Sequence, residues 1–260
     1  MIFASGPRCG STLLQRLLCS HPHVLIWGEQ GGALKHLFAF MDQFEGWDES
    51  WGDKARKELA MVGYDGFIAN LMPPLSRLRE GTRSLILQLF AEPAAELGRP
   101  RWGFKEIRYG RAECVAILSF FPGTKIVHLT RDPRDVLISL DWWERSSSWS
   151  RSDTRSAMQT WADINESLIG APLPSCHTIR FEDLTADPAA GIARIARWFD
   201  LDVDDLDHTV FERRVHSWGQ QEKQPRTLRA FSELPADLRE IIASAQFSTI
   251  ARYFGYDIRE

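Results

Sequence analysis

The sequence predicts an α/β protein with a three-layer α/β/α arrangement, in which helices cover both faces of a central parallel sheet. Short apolar runs alternate with stretches of helical periodicity along the 260 residues. Parallel strands need helical crossovers of this kind. The clearest strand is "KIVHLT", Lys125–Thr130, and helical periodicity follows it from Asp132. No repeat or low-complexity linker divides residues 1–260, so the chain is predicted to form one domain.

The first hundred residues predict two strands, a helix between them, and then a helical insertion. The strands are the short apolar runs Met1–Ser5 and Val24–Trp27. Four leucines in Ser11–Cys19 share one helical face. In the insertion, at about residues 31–100, Pro73-Pro74 and Gly81 separate the helical stretches. Its predicted segments are a helix over Gly31–Phe44, a mobile loop over Gly46–Gly52, and helices near Asp65–Arg79 and Thr82–Leu97.

After residue 100 the alternation of strands and helices resumes. The remaining chain is predicted to be mostly helical from residue 188 and to end its last helix near Phe254. The predicted strands are Arg101–Lys105, Lys125–Thr130 and His177–Phe181. The predicted helices are Ala112–Phe121, Asp132–Trp143, Arg151–Gly170 and Pro188–Phe199.

Composition and charge argue against several classes of protein. The net charge is −4, so no global basic field favours nucleic acid or a membrane surface as a partner. No apolar run is long enough for a membrane-spanning helix, and the residues before the first glycine loop do not have the pattern of a signal peptide, so none is expected. The four cysteines are scattered and have no metal-type spacing with the seven histidines. We therefore expect a reduced, cytoplasmic compartment and no metal site.

The stretch "SGPRCGST", Ser5–Thr12, joins the first strand to the first helix. The leading amides of a helix have no intrahelical partner, and the helix dipole adds positive potential there, so such a turn binds phosphate or sulfate. Gly10 lets the backbone approach the anion closely. Ser11 and Thr12 add hydroxyl donors, and Arg8 adds a guanidinium. The alternative is an ordinary corner with Ser11 as the N-cap.

This loop differs from the nucleotide-hydrolysing pattern G-x-x-x-x-G-K-[ST]. Three residues separate Gly6 from Gly10, and no lysine precedes Ser11. A site for magnesium and a triphosphate is therefore disfavoured.

The stretch "PRCGSTLL" resembles the 5′-phosphosulfate loop of the sulfotransferases that use 3′-phosphoadenosine 5′-phosphosulfate (PAPS). That loop has a Lys or Arg, a small residue, a glycine and two hydroxyl residues. Arg8, Cys9, Gly10, Ser11 and Thr12 occupy these places. The resemblance implies a P-loop-like fold, PAPS as cosubstrate and no metal.

A second motif, "HLTRDPRDVLISL", has Arg131 at the end of a strand and Ser139 eight residues later. In the family, an arginine and a serine with this spacing bind the 3′-phosphate of the cofactor. The other interpretation is a surface arginine paired with Asp132 or Asp135, and a serine that faces solvent. Two motifs in the family's order are more specific than one, so the resemblance favours the phosphate site.

Two further stretches extend the resemblance towards the C-terminus. "IRFEDLTADP", Ile179–Pro188, is similar to the family's R-[YF]-E-D-L strand end, and Phe181 takes the place of an aromatic residue near the adenine. "YFGYD", Tyr253–Asp257, resembles the family's C-terminal end. Relatives cover the cofactor with a C-terminal loop, in which Lys223 or Arg226 is the candidate for contact with the 3′-phosphate.

A glutamate is the predicted base. Glu29, in "LIWGEQGG", resembles the base of the branch that includes the tyrosylprotein sulfotransferases and many bacterial enzymes. "WGFKEIR" supplies Lys105 but lacks the histidine of the cytosolic aryl and steroid enzymes. The resemblance implies Lys105 near the leaving oxygen and Arg8 near the bridging oxygen and 5′-phosphate. Glu106 is the alternative base, or the partner of Arg108 in an ion pair.

The resemblance makes the insertion at about residues 31–100 the variable, acceptor-side part of the chain. The acceptor pocket is expected to come from this insertion and from residues after Ser139. Tryptophans cluster in both regions and could line the pocket; core packing is the alternative. The Ser-rich stretch Glu144–Asp153 predicts a mobile loop able to close over the site. No histidine is assigned a catalytic role, and His128 is expected to point into the core. The tryptophans are Trp47, Trp51, Trp142, Trp143 and Trp149.

These features predict a cytoplasmic PAPS-dependent sulfotransferase that moves a sulfuryl group onto a hydroxyl by metal-independent, in-line transfer. The expected acceptor is a small metabolite, and no nucleic-acid or membrane partner is expected. A P-loop small-molecule kinase is one alternative, and it would require Mg²⁺ and ATP. A non-catalytic nucleotide-binding relative is the other, and it would have no use for Glu29 and Lys105.

Overall fold

A five-stranded parallel sheet is the centre of the computed structural model, which describes residues 1–212 and 228–258. All five predicted strands form, within about one residue of their predicted bounds. The strands are β1 Ile2–Ala4, β2 Val24–Trp27, β3 Arg101–Glu106, β4 Ile126–Thr130 and β5 Cys176–Arg180. Their order across the sheet is β2-β3-β1-β4-β5, and each neighbouring pair is parallel.

Side chains of β1 alternate between two apolar cores, one on each face of the sheet. Ile2 and Ala4 pack into the first core, which contains Leu14. Phe3 packs into the second core, with its ring centre 6.0 Å from that of Phe104. A strand buried on both faces is typical of a parallel sheet covered by helices. The predicted α/β fold with helices on both faces is therefore confirmed.

Helices occupy every crossover between the strands. Short π-helical turns at Asp48–Gly52 and Leu87–Ala91 lie within the insertion. Among the described helices, none is both long and apolar enough to cross a membrane. The helix bounds are α1 Ser11–Ser20, α2 Leu34–Trp47, α3 Asp53–Val62, α4 Leu75–Ile86, α5 Glu92–Glu96, α6 Arg111–Phe120, α7 Pro133–Ser146, α8 Arg151–Gly170, α9 Phe181–Ala186, α10 Pro188–Phe199, α11 Ala236–Arg239 and α12 Ala245–Phe254.

The mobile loop predicted over Gly46–Gly52 is wrong, because α2, the first π-helical turn and α3 run as one continuous helical segment. Arg56 donates to both carboxylate oxygens of Asp48 across this turn, at 2.5 and 3.1 Å. Asp48 is buried. The ion pair joins residues two helical turns apart and stabilises the helix where its glycines weaken it.

The helix predicted near Asp65–Arg79 begins later than expected. Pro74 directly precedes α4. The residue before a proline avoids the helical conformation, so the two prolines keep the chain before them out of the helix. The helix therefore begins only after Pro74. Gly81 does not end α4. The next residue, Thr82, is buried and donates to Met41 Sδ at 3.1 Å, so packing holds the helix through the glycine.

The loop predicted over Glu144–Asp153 is shorter than expected, since α7 extends to Ser146 and α8 begins at Arg151. Residues 147–150 join the two helices. Arg151 Nε lies 3.0 Å from Glu144 Oε2, and this ion pair ties the end of α7 to the start of α8.

Candidate active site

The predicted site residues lie at the carboxyl ends of the strands. Arg8–Thr12 follow β1, Glu29 follows β2, and Lys105 is the penultimate residue of β3. Arg131 follows β4, and Phe181 follows β5. Because the strands are parallel, these ends meet at one edge of the sheet, where α/β proteins bind ligands.

The glycine loop turns sharply between β1 and α1. Gly6, Arg8 and Gly10 have φ angles of 96°, 69° and 90°. Glycine adopts this region freely, whereas Arg8 is strained there, as residues at ligand sites often are. Gly10 is the N-cap of α1, so the interpretation of Ser11 as N-cap is wrong. Within the described residues no side chain caps α1, which leaves its leading amides available to an anion.

Phe181 packs directly on Gly10. A Cβ atom at Gly10 would lie 2.2 Å from Phe181 Cδ2, so a larger residue does not fit beneath the ring. The Cys9 side chain is fully buried, and its thiol donates to the Ser5 carbonyl at 3.5 Å. Burial raises the pKa of the Cys9 thiol to about 12, against the opposing effect of Arg131. The Cys9 thiol therefore stays neutral and places no negative charge beside an anion. Only the backbone of Cys9 is left to contact the anion.

Arg131 and Ser139 converge on the glycine loop. Arg131 Nη1 donates to the Arg8 carbonyl at 3.2 Å, and Nη2 pairs with Asp135 at 3.2 Å. Ser139 is 8% exposed, and its Oγ accepts from Arg8 Nε at 2.8 Å. The Asp135 pair of the alternative interpretation does form, but Ser139 does not face solvent.

The Arg8 guanidinium lies beside Ser139. Its place near the bridging oxygen and 5′-phosphate, which the resemblance implies, stays a prediction. The central carbon of the guanidinium is 5.0 Å from the ring centre of Trp143, a cation–π distance. Trp143 is four residues after Ser139, so both lie on one face of α7. The structure thus joins the two predicted anion motifs into one cluster of Arg8, Arg131 and Ser139.

Arg131 has a buried donor that fits a phosphate-bearing ligand. Its Nε is buried and has no hydrogen-bond partner among the described residues. Leaving such a donor unpaired costs about 1–3 kcal/mol, and a phosphate oxygen would satisfy it. The guanidinium also lies over the Phe181 ring, 4.7 Å from its centre. The side chains at this position therefore suit an anionic group next to an aromatic surface.

Glu29 and Lys105 form an ion pair, with 2.6 Å between Glu29 Oε1 and Lys105 Nζ. The Lys105 side chain is 6% exposed and that of Glu29 is 33% exposed. Arg108 Nη1 lies 3.3 Å from the other Glu29 oxygen. The carboxylate is thus reachable from solvent while a buried cation lies behind it.

Glu106 is fully buried and pairs with Arg108, whose Nη1 lies 2.9 Å from Glu106 Oε1. The predicted ion pair between these residues is confirmed. Burial separates Glu106 from any acceptor that approaches from solvent, in contrast to Glu29.

The tryptophans divide between the site and other surroundings. Trp143 lies against Arg8. Trp149 packs against the first core and donates to Thr154 Oγ1 at 3.2 Å. Trp47 and Trp51 are half-exposed on the insertion.

The prediction that His128 points into the core is confirmed. The residue is fully buried, and burial lowers its pKa to about 3, so the ring is neutral. Lys223 and Arg226 lie outside the described residues.

Sequence reasoning missed a buried polar network beneath the glycine loop. Ser5 Oγ lies 2.7 Å from His128 Nε2 and donates to Asn165 Oδ1 at 2.9 Å. Trp161 Nε1 donates to the Arg131 carbonyl at 3.0 Å. The network and this bond fix the backbone at the start of both anion motifs. No local pattern indicates it, because the partners of Ser5 are 123 and 160 positions away.

The parallel sheet, the glycine loop and the arginine–serine cluster define an α/β protein with a candidate anion site at the carboxyl edge of its strands. Residues 2–205 match the model of a family described as "Sulfotransferase family". The match covers more than half of the chain, which therefore belongs to the sulfotransferase family, whose reaction is sulfuryl transfer. No curated protein matches the sequence.

Two solved structures of sulfotransferases from Mycobacterium have the same fold. Sulfotransferase STF9 from Mycobacterium avium is 15% identical, with 99% of this chain and 77% of that chain covered and a TM-score of 0.51. Sulfotransferase STF1 from Mycobacterium tuberculosis H37Rv is 17% identical, with 95% and 76% covered and a TM-score of 0.50. The sulfotransferase domain from the curacin biosynthetic pathway is 18% identical, with 98% and 97% covered and a TM-score of 0.48.

Proposed function

We propose that this chain transfers a sulfuryl group from PAPS to a hydroxyl group of a small metabolite, by in-line displacement and without a metal. The observation that carries the proposal is the Glu29–Lys105 ion pair, 2.6 Å long, at the sheet edge that also holds the glycine loop. A reachable carboxylate beside a buried cation suits a reaction that removes a proton and stabilises developing negative charge. The family match favours this reaction over the kinase alternative.

Each part of the site has a role in this proposal. The nucleotide supplies the sulfuryl group and leaves as 3′-phosphoadenosine 5′-phosphate. Glu29 accepts the proton of the acceptor hydroxyl, and Lys105 stabilises charge near the leaving oxygen. The leading amides of α1, with the hydroxyls of Ser11 and Thr12, hold the 5′-phosphosulfate.

The arginine–serine cluster is assigned to the 3′-phosphate. Arg131 and Ser139 hold this group, and Arg8, which donates to Ser139, adds a second guanidinium beside it. Phe181, stacked under Arg131, provides the aromatic surface for the adenine.

The test of the base separates chemistry from nucleotide binding. Glu29→Gln is expected to lower turnover by about 10²–10⁴-fold, because the acceptor loses its proton-accepting group. Binding of 3′-phosphoadenosine 5′-phosphate, measured by calorimetry, is expected to stay unchanged. Turnover is measured with labelled PAPS and a panel of alcohols, phenols, sugars and a tyrosyl peptide. Full turnover in Glu29→Gln contradicts the assignment.

The test of the phosphate site measures nucleotide binding, which is expected to change here although it stays unchanged in Glu29→Gln. Arg131→Ala is expected to weaken binding of 3′-phosphoadenosine 5′-phosphate about 10–100-fold, since it removes charge-assisted hydrogen bonds. The matched control is Arg134→Ala, which removes a nearby arginine in the first turn of α7 that is bound to Asp132 at 2.9 Å. Equal affinities for the two variants would show that Arg131 does not hold the nucleotide.

A chelator distinguishes the sulfotransferase from a kinase. Sulfuryl transfer is expected to continue at the same rate with an excess of EDTA, and no phosphoryl transfer from ATP is expected when Mg²⁺ is added. Loss of activity with EDTA and its return with Mg²⁺ would favour the kinase.

A further inference from the structure

Glu106 holds the segment that carries the proposed base. This segment, residues 28–32, is called the base loop below. Glu106 Oε2 accepts from the backbone N–H groups of Gln30 and Gly32, at 3.1 and 2.9 Å. Its Oε1 accepts from the Ile107 N–H at 2.8 Å and from Arg108 Nη1 at 2.9 Å. The buried carboxylate thus binds four donors, two of which belong to the base loop.

The base loop needs such a partner because of its backbone shape. Gly31 and Gly32 have φ angles of 65° and 79°, in the left-handed region that glycine favours. Two consecutive residues in this region interrupt the regular hydrogen bonding of a strand or a helix, so amides of the base loop, here those of Gln30 and Gly32, need an acceptor from elsewhere. Glu106 supplies it, and charge-assisted bonds of this kind are stronger than neutral ones.

Arg108 connects the same carboxylate to the base itself. Its Nη1 lies 2.9 Å from Glu106 Oε1 and 3.3 Å from Glu29 Oε2. Its aliphatic carbons lie beside Gly32, with Cδ 3.5 Å from the position that a Cβ of Gly32 would take, an ordinary van der Waals distance. Glu106 therefore acts on Glu29 by two routes, through the backbone of the base loop and through the Arg108 guanidinium.

We propose that Glu106 is a positioning residue for sulfuryl transfer, which holds Glu29 at the place where it meets the acceptor hydroxyl. This inference rests on the proposed function of Glu29. Glu106 is 0% exposed and all its bonds are to the protein, whereas Glu29 is one-third exposed. The neighbouring Lys105 donates to Glu29 directly, whereas Glu106 acts on Glu29 only through the base loop and Arg108.

The variant Glu106→Gln tests the proposal kinetically. A glutamine has one acceptor oxygen where the carboxylate has two, so either the base loop or Arg108 loses its partner. We expect kcat to fall about 100-fold, as for a displacement of about 1 Å, with unchanged affinity for 3′-phosphoadenosine 5′-phosphate. In a Glu29→Gln background the same change is expected to have no further effect on kcat, because Glu106 acts through Glu29.

A purely structural role gives a different result. It would lower nucleotide affinity along with kcat, or lower kcat by the same factor in both backgrounds, and either outcome overturns the proposal. Arg108→Gln is the second variant, chosen because the Arg108 side chain is 44% exposed and its loss leaves the core intact. We expect a smaller fall in kcat that also disappears in the Glu29→Gln background.

Amide hydrogen exchange tests whether Glu106 holds the base loop, without any assay of turnover. In Glu106→Gln, exchange is expected to be faster across residues 28–34 and unchanged across β4. The matched control is Glu113→Gln, since Glu113 also accepts from a backbone N–H, that of Gly110 at 2.7 Å, outside the base loop. If wild-type protein transfers no sulfuryl group, the proposed function fails. Unchanged exchange in residues 28–34 of Glu106→Gln overturns the inference that Glu106 holds the base loop.

Discussion

At the residue scale, Gly10 illustrates how one position meets two demands at once. Its φ of 90° lies in the region that favours glycine, and the Phe181 ring occupies the place of a Cβ atom. The first demand shapes the loop that approaches the anion, and the second brings the aromatic residue against that loop. The glycine is required by both the backbone and the packing.

The substitution Gly10→Ala is expected to destabilise the protein by about 2–5 kcal/mol, the sum of backbone strain and overpacking. Gly98→Ala is the matched control, because Gly98 has a φ of 71° and open space where its Cβ would be. The control is expected to lose about 1–2 kcal/mol, from strain alone. Urea unfolding measures both losses. Equal losses would show that the Phe181 contact is relieved without cost.

Arg8 shows that a motif predicts a residue's place in a site but not the direction of its side chain. The pattern of a basic residue before Cys9 and Gly10 predicts that Arg8 belongs to an anion site. The direction of a long side chain depends on its surroundings, and here Ser139 and Trp143 orient the guanidinium. Those residues are more than 130 positions away in the chain, so local spacing contains no information about the contact.

At the scale of elements, α8 supports both anion motifs. Asn165 accepts from Ser5 at the start of the glycine loop, and Trp161 donates to the Arg131 carbonyl. Gly6 packs closely on the same helix, since its Cβ would lie 3.3 Å from the Ala157 carbonyl. The helix begins with a capping box, in which Ser150 and Asp153 exchange hydrogen bonds at 3.2 and 2.8 Å.

Removal of this cap is expected to destabilise α8. Ser150→Ala is expected to lower the free energy of unfolding by about 1 kcal/mol, because the Asp153 N–H loses its acceptor. The matched control, Ser156→Ala, changes an exposed serine in the interior of the same helix and is expected to alter stability by less than about 0.5 kcal/mol. Thermal or urea unfolding compares the two. Equal effects would show that the cap contributes nothing.

At the scale of the whole molecule, the Ser5–His128–Asn165 network joins the two central strands to α8. His128 also contacts Thr178 of β5, with 3.2 Å between Nδ1 and Oγ1. Burial lowers the pKa of His128 from 6.5 to about 3. The folded protein therefore keeps this ring neutral in a range where the unfolded chain protonates it.

This difference predicts a loss of stability in mild acid. Between about pH 6.5 and about pH 3 the unfolded state binds one more proton at His128 than the folded state, so the free energy of unfolding falls as the pH falls. From pH 7 to pH 5 the group contributes a loss of about 2 kcal/mol. Urea unfolding at both pH values measures this loss. The fall in the free energy of unfolding from pH 7 to pH 5 is expected to be smaller by that amount in His128→Gln than in the wild-type protein. The same pH effect in both proteins contradicts the prediction.

The local pattern of the sequence was sufficient for the strands, most of the helices and the two anion motifs. Each of these depends on residues close in the chain: Arg8 to Thr12 span one turn, and Arg131 to Ser139 span one strand end and the helix after it. Short-range spacing determines which side chains a parallel sheet brings to its carboxyl edge. The α/β fold and the family followed from that information.

The tertiary structure alone decided the rest. The Asp48–Arg56 pair bridges the continuous α2–α3 segment, and the partners of Glu106 and His128 come from other strands and loops. "WGFKEIR" left Glu106 as either a base or an ion-pair partner. The structure confirms the ion pair with Arg108, and burial together with bonds to residues more than 70 positions away argues against the base. Such contacts arise when packing brings distant segments together, so no local pattern predicts them.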